Sequence, residues 1–309
     1  MPDFDHKPVM MVEALDALRP KPGGRYADGT LGGAGHAAAI LDASSPTGWL
    51  YGCDRDGVAI EVATARLARY AGRFELRRGN FDGLADWVPH GSCDGVLLDL
   101  GVSSPQLDEA ARGFSFQQDG PLDMRMDVRQ QLTAAQLVNA ADADELAKIF
   151  WEFGNERESR RFARAIVHDR AQRPFETTRQ LAELIERLSP RAGRRTHPAT
   201  KIFQALRLAV NDEIGSLKRG LAGALKILKP GGRLAVITFH SLEDRTVKEF
   251  GRDRARDYIM TGDVDVPELR QPCAPGLKLV TRKAMRTGEV EIVENPRARS
   301  AQLRVMEKL

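Results

Sequence analysis

Short apolar runs alternate with helix-periodic segments through the first third of the chain. Arg25-Tyr-Ala-Asp28, Gly48-Trp-Leu-Tyr-Gly-Cys-Asp54, Phe74-Glu-Leu-Arg-Arg-Gly79 and Gly95-Val-Leu-Leu-Asp-Leu100 read as strands. Helices are expected over 35–41 and over 56–70, the second carrying Val58, Ile60, Val62 and Leu67 among its apolar positions. The run from Gly95 to Leu100 is continuously apolar up to its acid, the pattern of a strand covered on both faces. This βαβα rhythm predicts an α/β, doubly wound, Rossmann-like sheet.

The rhythm stops after Gln106. From Leu107 to Arg207 the pattern is helical, with a capping box at Thr133-Ala-Ala-Gln136 and an amphipathic segment over 142–153. Further helices are expected over 155–170, over 177–188, and from Pro198 through Val210 toward Leu217. The α/β pattern resumes near Leu225, with Arg233-Leu-Ala-Val-Ile-Thr-Phe239 as a fifth buried strand. Two late strands follow, at Leu277-Lys-Leu-Val-Thr-Arg282 and Leu303-Arg-Val-Met-Glu307. The expected organisation is a sheet domain in two parts, 1–106 and 208–309, with an all-helical domain inserted at 107–207.

Composition narrows the setting. A hydrophobic fraction of 42% with 29% charged residues is that of a soluble globular chain, and no stretch approaches a membrane span. The first residues lack the basic and apolar regions of a signal peptide. Cys53, Cys93 and Cys273 form no CxxC pair, so reduced thiols, no metal site and a cytoplasmic location are expected. Net charge is only +3, but residues 155–207 hold 13 Lys/Arg against 6 Asp/Glu. That segment is +7 and the remainder −4, which hints at a polyanionic partner.

Candidate chemistry gathers at the strand exits, where open α/β sheets bind ligands. Asp28-Gly-Thr-Leu-Gly-Gly-Ala-Gly-His36 is a glycine-rich loop leading into a helix, and Gly33-Ala-Gly-His-Ala-Ala38 fits the dinucleotide pattern. Asp54 ends the second strand where an acid accepts hydrogen bonds from ribose hydroxyls. Together these point to an adenosine-containing cofactor, without separating NAD from S-adenosylmethionine. Asp28 can face a cationic amino-acid moiety, and Gly79-Asn-Phe81 offers a polar and an aromatic group to adenine. Asp99-Leu-Gly-Val-Ser-Ser-Pro105 is similar to the corner with which amino-group methyltransferases hold their substrate. Acceptors at Ser103, Ser104 and Pro105 would hold an exocyclic amine, a poor nucleophile, in line with a methyl donor. Methylation at cytosine C5 needs a cysteine nucleophile instead, and no cysteine ends the fourth or fifth strand.

With these residues assembled, the chain closely resembles the bacterial 16S ribosomal RNA cytosine-N4 methyltransferases. The matching stretches include His6-Lys-Pro-Val-Met10, the 28–36 loop, Asp54-Arg-Asp56, 99–106, Arg112-Gly-Phe-Ser-Phe116 and 119–127. They continue through His197-Pro-Ala-Thr200, Phe203-Gln-Ala-Leu-Arg207, 239–245 and 295–300. The resemblance implies a class I methyltransferase fold and S-adenosylmethionine as donor. It implies as target a decoding-centre cytosine, cytosine-1402, of 16S rRNA within the small ribosomal subunit. It places cofactor contacts on Ala34, Gly35, His36, Asp54, Phe81, Asp99 and Gln106, with Asp28 and Gly33 added from the reading of the glycine loop.

Other residues carry two readings. Ser241-Leu-Glu-Asp244 is a helix capping box, while His240 at a strand end is a candidate RNA contact. Phe114 and Phe116 suit core packing better than base stacking. Arg160, Arg161, Arg164, Arg194 and Arg195 are candidate RNA contacts on a segment that would look the same as a solvated helix face. A nucleotide-dependent oxidoreductase and a non-catalytic RNA-binding assembly factor stay open as rival classes, and so does a homodimeric state.

Overall fold

A computed structural model describes residues 8–190, 197–259 and 266–309, apart from the side chains of Ser104 and Pro105. The chain forms two compact units. One runs from Val102 to Glu213, and the other combines the chain up to Gly101 with Ile214–Leu309.

The second unit is built on a sheet. Its parallel strands are β1 (Arg25–Asp28), β2 (Trp49–Asp54), β3 (Phe74–Arg78), β4 (Cys93–Asp99) and β5 (Leu228–Thr238). The two-residue strands β6 (Tyr258–Ile259) and β7 (Gln271–Pro272) pair only with each other, whereas β8 (Leu277–Leu279), β9 (Met285–Arg286) and β10 (Gln302–Lys308) join the main sheet. Strand order is β3-β2-β1-β4-β5-β10-β8, with β10 antiparallel to β5. The chain winds outward from β1 to β3, then returns to start again at β4 beside β1. The β1/β4 boundary is therefore the switch point at which a doubly wound sheet opens a ligand crevice.

Helices α1 (Met11–Leu18), α2 (Gly35–Ala43) and α3 (Gly57–Leu67) belong to this unit, as do α10 (Glu213–Ile227) from Ile214 onward, α11 (Ser241–Arg254) and α12 (Glu289–Glu294). Alternation along the strands feeds two apolar clusters. In β4, Leu97 joins the cluster of α1 and α2, while Val96 and Leu98 join that of α10. Ala235 and Ile237 of β5 divide from Leu234 and Val236 in the same way. Cover on both faces is why these strands read as unbroken apolar runs.

The helical unit contains α4 (Ser104–Asp108), α5 (Ala134–Ala140), α6 (Ala143–Glu152), α7 (Ser159–Arg170), α8 (Thr178–Leu188) and α9 (Ala199–Val210). Leu122, Phe150, Phe162, Ile166, Leu181, Ile202 and Leu206 lie in its core. Capping boxes start α5 at Thr133 with Gln136 and α8 at Thr177 with Gln180, and Asp142 caps α6. Phe116 packs on Phe203 and His197, with ring centroids 4.8 and 4.7 Å apart, and Phe114 is buried.

Two helices end differently from the sequence expectation. The segment expected as helix from residue 155 begins at Ser159, because Asn155 takes a left-handed φ of 46°. The helix after Pro198 stops at Val210 rather than running toward Leu217. There Asn211 turns its amide to Met124 O and the Met126 N–H, and Asp212 adopts φ 45°. These bonds, with the Arg207–Glu213 ion pair, carry the unit to Glu213, past Arg207. At its other end the Ser103 N–H bonds to Gln106 Oε1, and the unit begins at Val102 rather than Leu107. Among the described residues, no helix is long and apolar enough to cross a membrane.

Candidate active site at the β1/β4 switch point

The exits of β1, β2 and β4 converge on the glycine loop. Gly29 donates to Leu97 O and Leu31 to Cys53 O, so the loop is stitched to both neighbouring strands. Gly32 (φ 48°) and Ala34 (φ 57°) are left-handed, which turns the chain sharply into α2. Ala34 is the N-cap and offers no side-chain acceptor, so the first N–H groups of α2 have no side-chain cap. A Cβ at Gly35 would overlap the ring of Pro8, so only glycine fits there.

Asp54, expected from the sequence as a ribose acceptor, is bonded within the loop itself. Its Oδ2 accepts the Gly32 N–H and its Oδ1 the Asp56 N–H, each at 2.9 Å. It is thus a brace for the loop rather than a free surface acid, although each oxygen retains a further acceptor site. Burial pushes its carboxyl upward, partly offset by those two N–H donors.

Asp28 is 1% exposed. Its Oδ1 accepts the Thr30 N–H at 3.0 Å, while Oδ2 has no partner. Burial, chiefly, pushes its carboxyl up to about 6, against the opposing pull of His36 and the Thr30 N–H. His36, 6% exposed, directs Nε2 toward Asp99 Oδ2 at 3.6 Å, too long for a hydrogen bond. Burial works against its charged form, but Asp99 and Asp28 outweigh that and raise its pKa. Asp99 Oδ1 is also buried without a partner, and the Asp99 N–H donates to Thr30 Oγ1 at 2.7 Å.

Phe81 sits at the exit of β3, but its ring presses on Gly220 of α10 and belongs to the core. Its neighbour Asn80 donates to Ser216 Oγ at 2.7 Å, leaving Oδ1 buried and unpaired. Asp28, Gly33, Ala34, Gly35, His36, Asp54 and Asp99 thus lie in one loop-and-strand-end cluster, whereas Ser103 and Gln106 belong to the helical unit. The side chains of Ser104 and Pro105, and the whole of His6, Arg194 and Arg195, lie outside the described residues. His240, not Ser241, is the N-cap of α11. Its ring accepts the Glu243 N–H, and Glu243 returns a bond to the His240 N–H. Arg160, Arg161 and Arg164 are exposed on α7.

Three participants escaped the sequence reading. Thr30 joins Asp28 to the Asp99 backbone, Pro8 closes over Gly35, and Arg66 of α3 holds Gly33 O at 2.9 Å. Thr30 lay within a recognised loop, but nothing in its spacing disclosed its partners.

A doubly wound sheet with an acid ending β1, a glycine loop, an acid ending β2 and an acid ending β4 defines a class I methyltransferase. The chain belongs to the MraW methylase family, which matches residues 3–309. It is 52% identical to Ribosomal RNA small subunit methyltransferase H of Geobacter sulfurreducens, over 99% of each chain. Identity to the protein of that name in Syntrophotalea carbinolica is 51%, over 99% of this chain and 98% of the relative. A solved rRNA methylase from Streptococcus thermophilus aligns over 98% of both chains at 10% identity, with a TM-score of 0.45.

The methyl donor is S-adenosylmethionine, and the residues present fit it. The unpaired oxygens of Asp28 and Asp99 suit its cationic groups, the uncapped start of α2 suits its carboxylate, and the spare acceptor sites of Asp54 suit ribose hydroxyls.

Proposed function

We propose that this chain methylates the exocyclic N4 amine of a decoding-centre cytosine of 16S rRNA in the small ribosomal subunit, acting in the cytoplasm. The observation that carries the reading is the group of buried, unpartnered acceptors at the β1/β4 switch point, in a chain about half identical to small-subunit rRNA methyltransferases. S-adenosylmethionine, when bound, supplies an electrophilic methyl group. Asp28, Asp99 and the start of α2 hold its amino-acid end, and Asp54 its ribose. Ser103, Ser104 and Pro105 accept from the amine N–H groups and fix the nitrogen for in-line attack, after which the amine proton is released. Phe81 contributes as a wall of the adenine region, and Gln106 by fixing the turn at Ser103.

Choice of nitrogen over carbon is supported by the thiols. Burial drives Cys53 well above the ordinary thiol range and Cys93 up to about 11, so both stay protonated and non-nucleophilic at neutral pH. The helical segment, 107–207 with its flanks, is the rRNA-docking part in this reading, through Arg160, Arg161 and Arg164, joined by Arg194 and Arg195. His240 serves the fold of α11: its Nδ1 caps the helix and its Nε2 is buried 3.2 Å from Glu243 Oε1, so its ring has no part in RNA contact in this reading.

The test is incubation of the protein with labelled S-adenosylmethionine and small subunits, followed by digestion and mass spectrometry. N4-methylcytosine is expected. 5-Methylcytosine, or tighter binding of NAD than of S-adenosylmethionine, would overturn the proposal.

A further inference from the structure

Trp151 is the only exposed Phe, Tyr or Trp among the described residues, at 56%. It stands in the last turn of α6, beside fully buried Phe150, where α6 turns into α7. That turn is rigidly built. Gly154 and Glu156 donate to Phe150 O, Asn155 donates to Trp151 O, and Lys201 Nζ holds Asn155 O at 3.2 Å. A Cβ at Gly154 would come within 2.7 Å of Lys201 O, so the tip needs glycine to close on α9.

Exposed cations flank Trp151 along the chain. Lys148 is one turn before Trp151 on α6, and Arg157 and Arg160 follow within the turn and the start of α7. Among the described residues none of these three has an ion-pair partner, and no guanidinium covers the indole. Of the nearby acids, Glu158 and Glu156 are engaged by Arg161 at 2.8 Å and Lys201 at 3.8 Å. Exposed Glu152, next to Trp151 in the chain, offsets one of the three cations and leaves the tip net positive. A large, rigidly mounted aromatic face with uncommitted cations before and after it in the chain matches an unpaired nucleotide: the ring takes the base and the cations its flanking phosphates.

We propose that the α6–α7 tip, with Trp151 as platform and Lys148, Arg157 and Arg160 as phosphate contacts, stacks an unpaired base of the substrate rRNA other than the cytosine that is methylated. This rests on the reading of the chain as an rRNA methyltransferase.

Deproteinised 16S rRNA and intact small subunits are titrated separately against the parent, Trp151→Phe and Trp151→Leu, with intrinsic fluorescence and filter binding as readouts. In the parent, rRNA should quench the part of the emission that Trp151→Phe lacks. Trp151→Leu should bind both ligands about tenfold more weakly, Trp151→Phe should stay close to the parent, and affinity for S-adenosylmethionine should not change. Equal binding by all three proteins would overturn the proposal. A loss in Trp151→Leu seen with subunits but not with naked rRNA would overturn it in favour of a ribosomal-protein contact. A parent that binds neither ligand would remove the rRNA reading itself, a result distinct from failure of the platform alone.

Discussion

His36 Nε2 lies 3.6 Å from Asp99 Oδ2, with neither a hydrogen bond between them nor another partner for that nitrogen. At that separation the carboxylate still favours the imidazolium, and Asp28 adds to the same effect. Two acids from adjacent strands and one histidine from the loop helix therefore form a buried group whose bonding is incomplete. Buried polar atoms are rarely left so without a function, and in the proposed function the free oxygens of Asp28 and Asp99 are those that meet a cationic ligand.

Asp28, as the proposed partner of the cofactor's cationic end, should make cofactor binding pH-dependent. Its free carboxyl titrates at about 6, and a bound cation lowers that value, so binding below this pH must expel a proton. Affinity for S-adenosylmethionine should rise from pH 5 to 7, with proton release detected by calorimetry in buffers of different ionisation enthalpy. Asp28→Asn should bind weakly and without that release. Because the folded-state value is raised, the parent loses stability as pH climbs from the usual carboxylate range through about 6. The Tm of Asp28→Asn relative to the parent should therefore improve between pH 4 and 7. Proton uptake on binding would contradict this.

Most of the sheet was legible because strands covered on both faces write themselves as uninterrupted apolar runs, and β1 carries the expected bounds. The capping box at Thr133 was readable because its pattern is local, while the one at Thr177 has the same spacing and was expected only as the start of a helix. What escaped depends on distant contacts. Asp212 turns left-handed where Asn211 reaches back to Met124, 87 residues away in sequence. Serine is the commoner cap, yet at 240–241 the backbone is extended at the histidine, so His240 caps instead. Asp54 was expected as a ligand acid, but its bond to Gly32 exists only once loop and strand meet.

The loop tolerates no added bulk at Gly35. An alanine there would strike Pro8, and relieving the overlap costs about 1–3 kcal/mol. Gly35→Ala should lower Tm and weaken S-adenosylmethionine binding. Ala34→Gly suits the left-handed backbone already present and should change stability by less than about 1 kcal/mol. Thermal melts and calorimetry of the two variants give the comparison, and equal behaviour would show that the loop is not tightly seated.

The thiols should be dispensable for chemistry. Cys53 is buried with Sγ 3.5 Å from Gly29 O, so a serine hydroxyl there keeps an acceptor, at a stability cost of about 1–2 kcal/mol. Replacing Cys53, Cys93 and Cys273 by serine, singly, should leave turnover per folded molecule unchanged and the product an N-methylated cytosine. A trapped enzyme–RNA adduct through any of them would refute the mechanism.

Arginines on α7 divide into two kinds, and the division can be measured. Arg170 binds Val138 O and Ala141 O and ties α7 to the end of α5, so Arg170→Ala should lower Tm with little direct effect on RNA. Arg160 and Arg164 are exposed, with no carboxylate partner among the described residues, and Arg161 engages only the exposed-side Glu158. For every phosphate that a variant no longer neutralises, the slope of log affinity against log salt falls by close to 1. Reversing Arg160, Arg161 and Arg164 to glutamate should therefore weaken subunit binding most at low salt and flatten that slope by up to about 3. Tm and S-adenosylmethionine affinity should stay near those of the parent. Normal subunit binding by the triple variant across the salt range would make this face a solvated helix surface and move the docking site elsewhere.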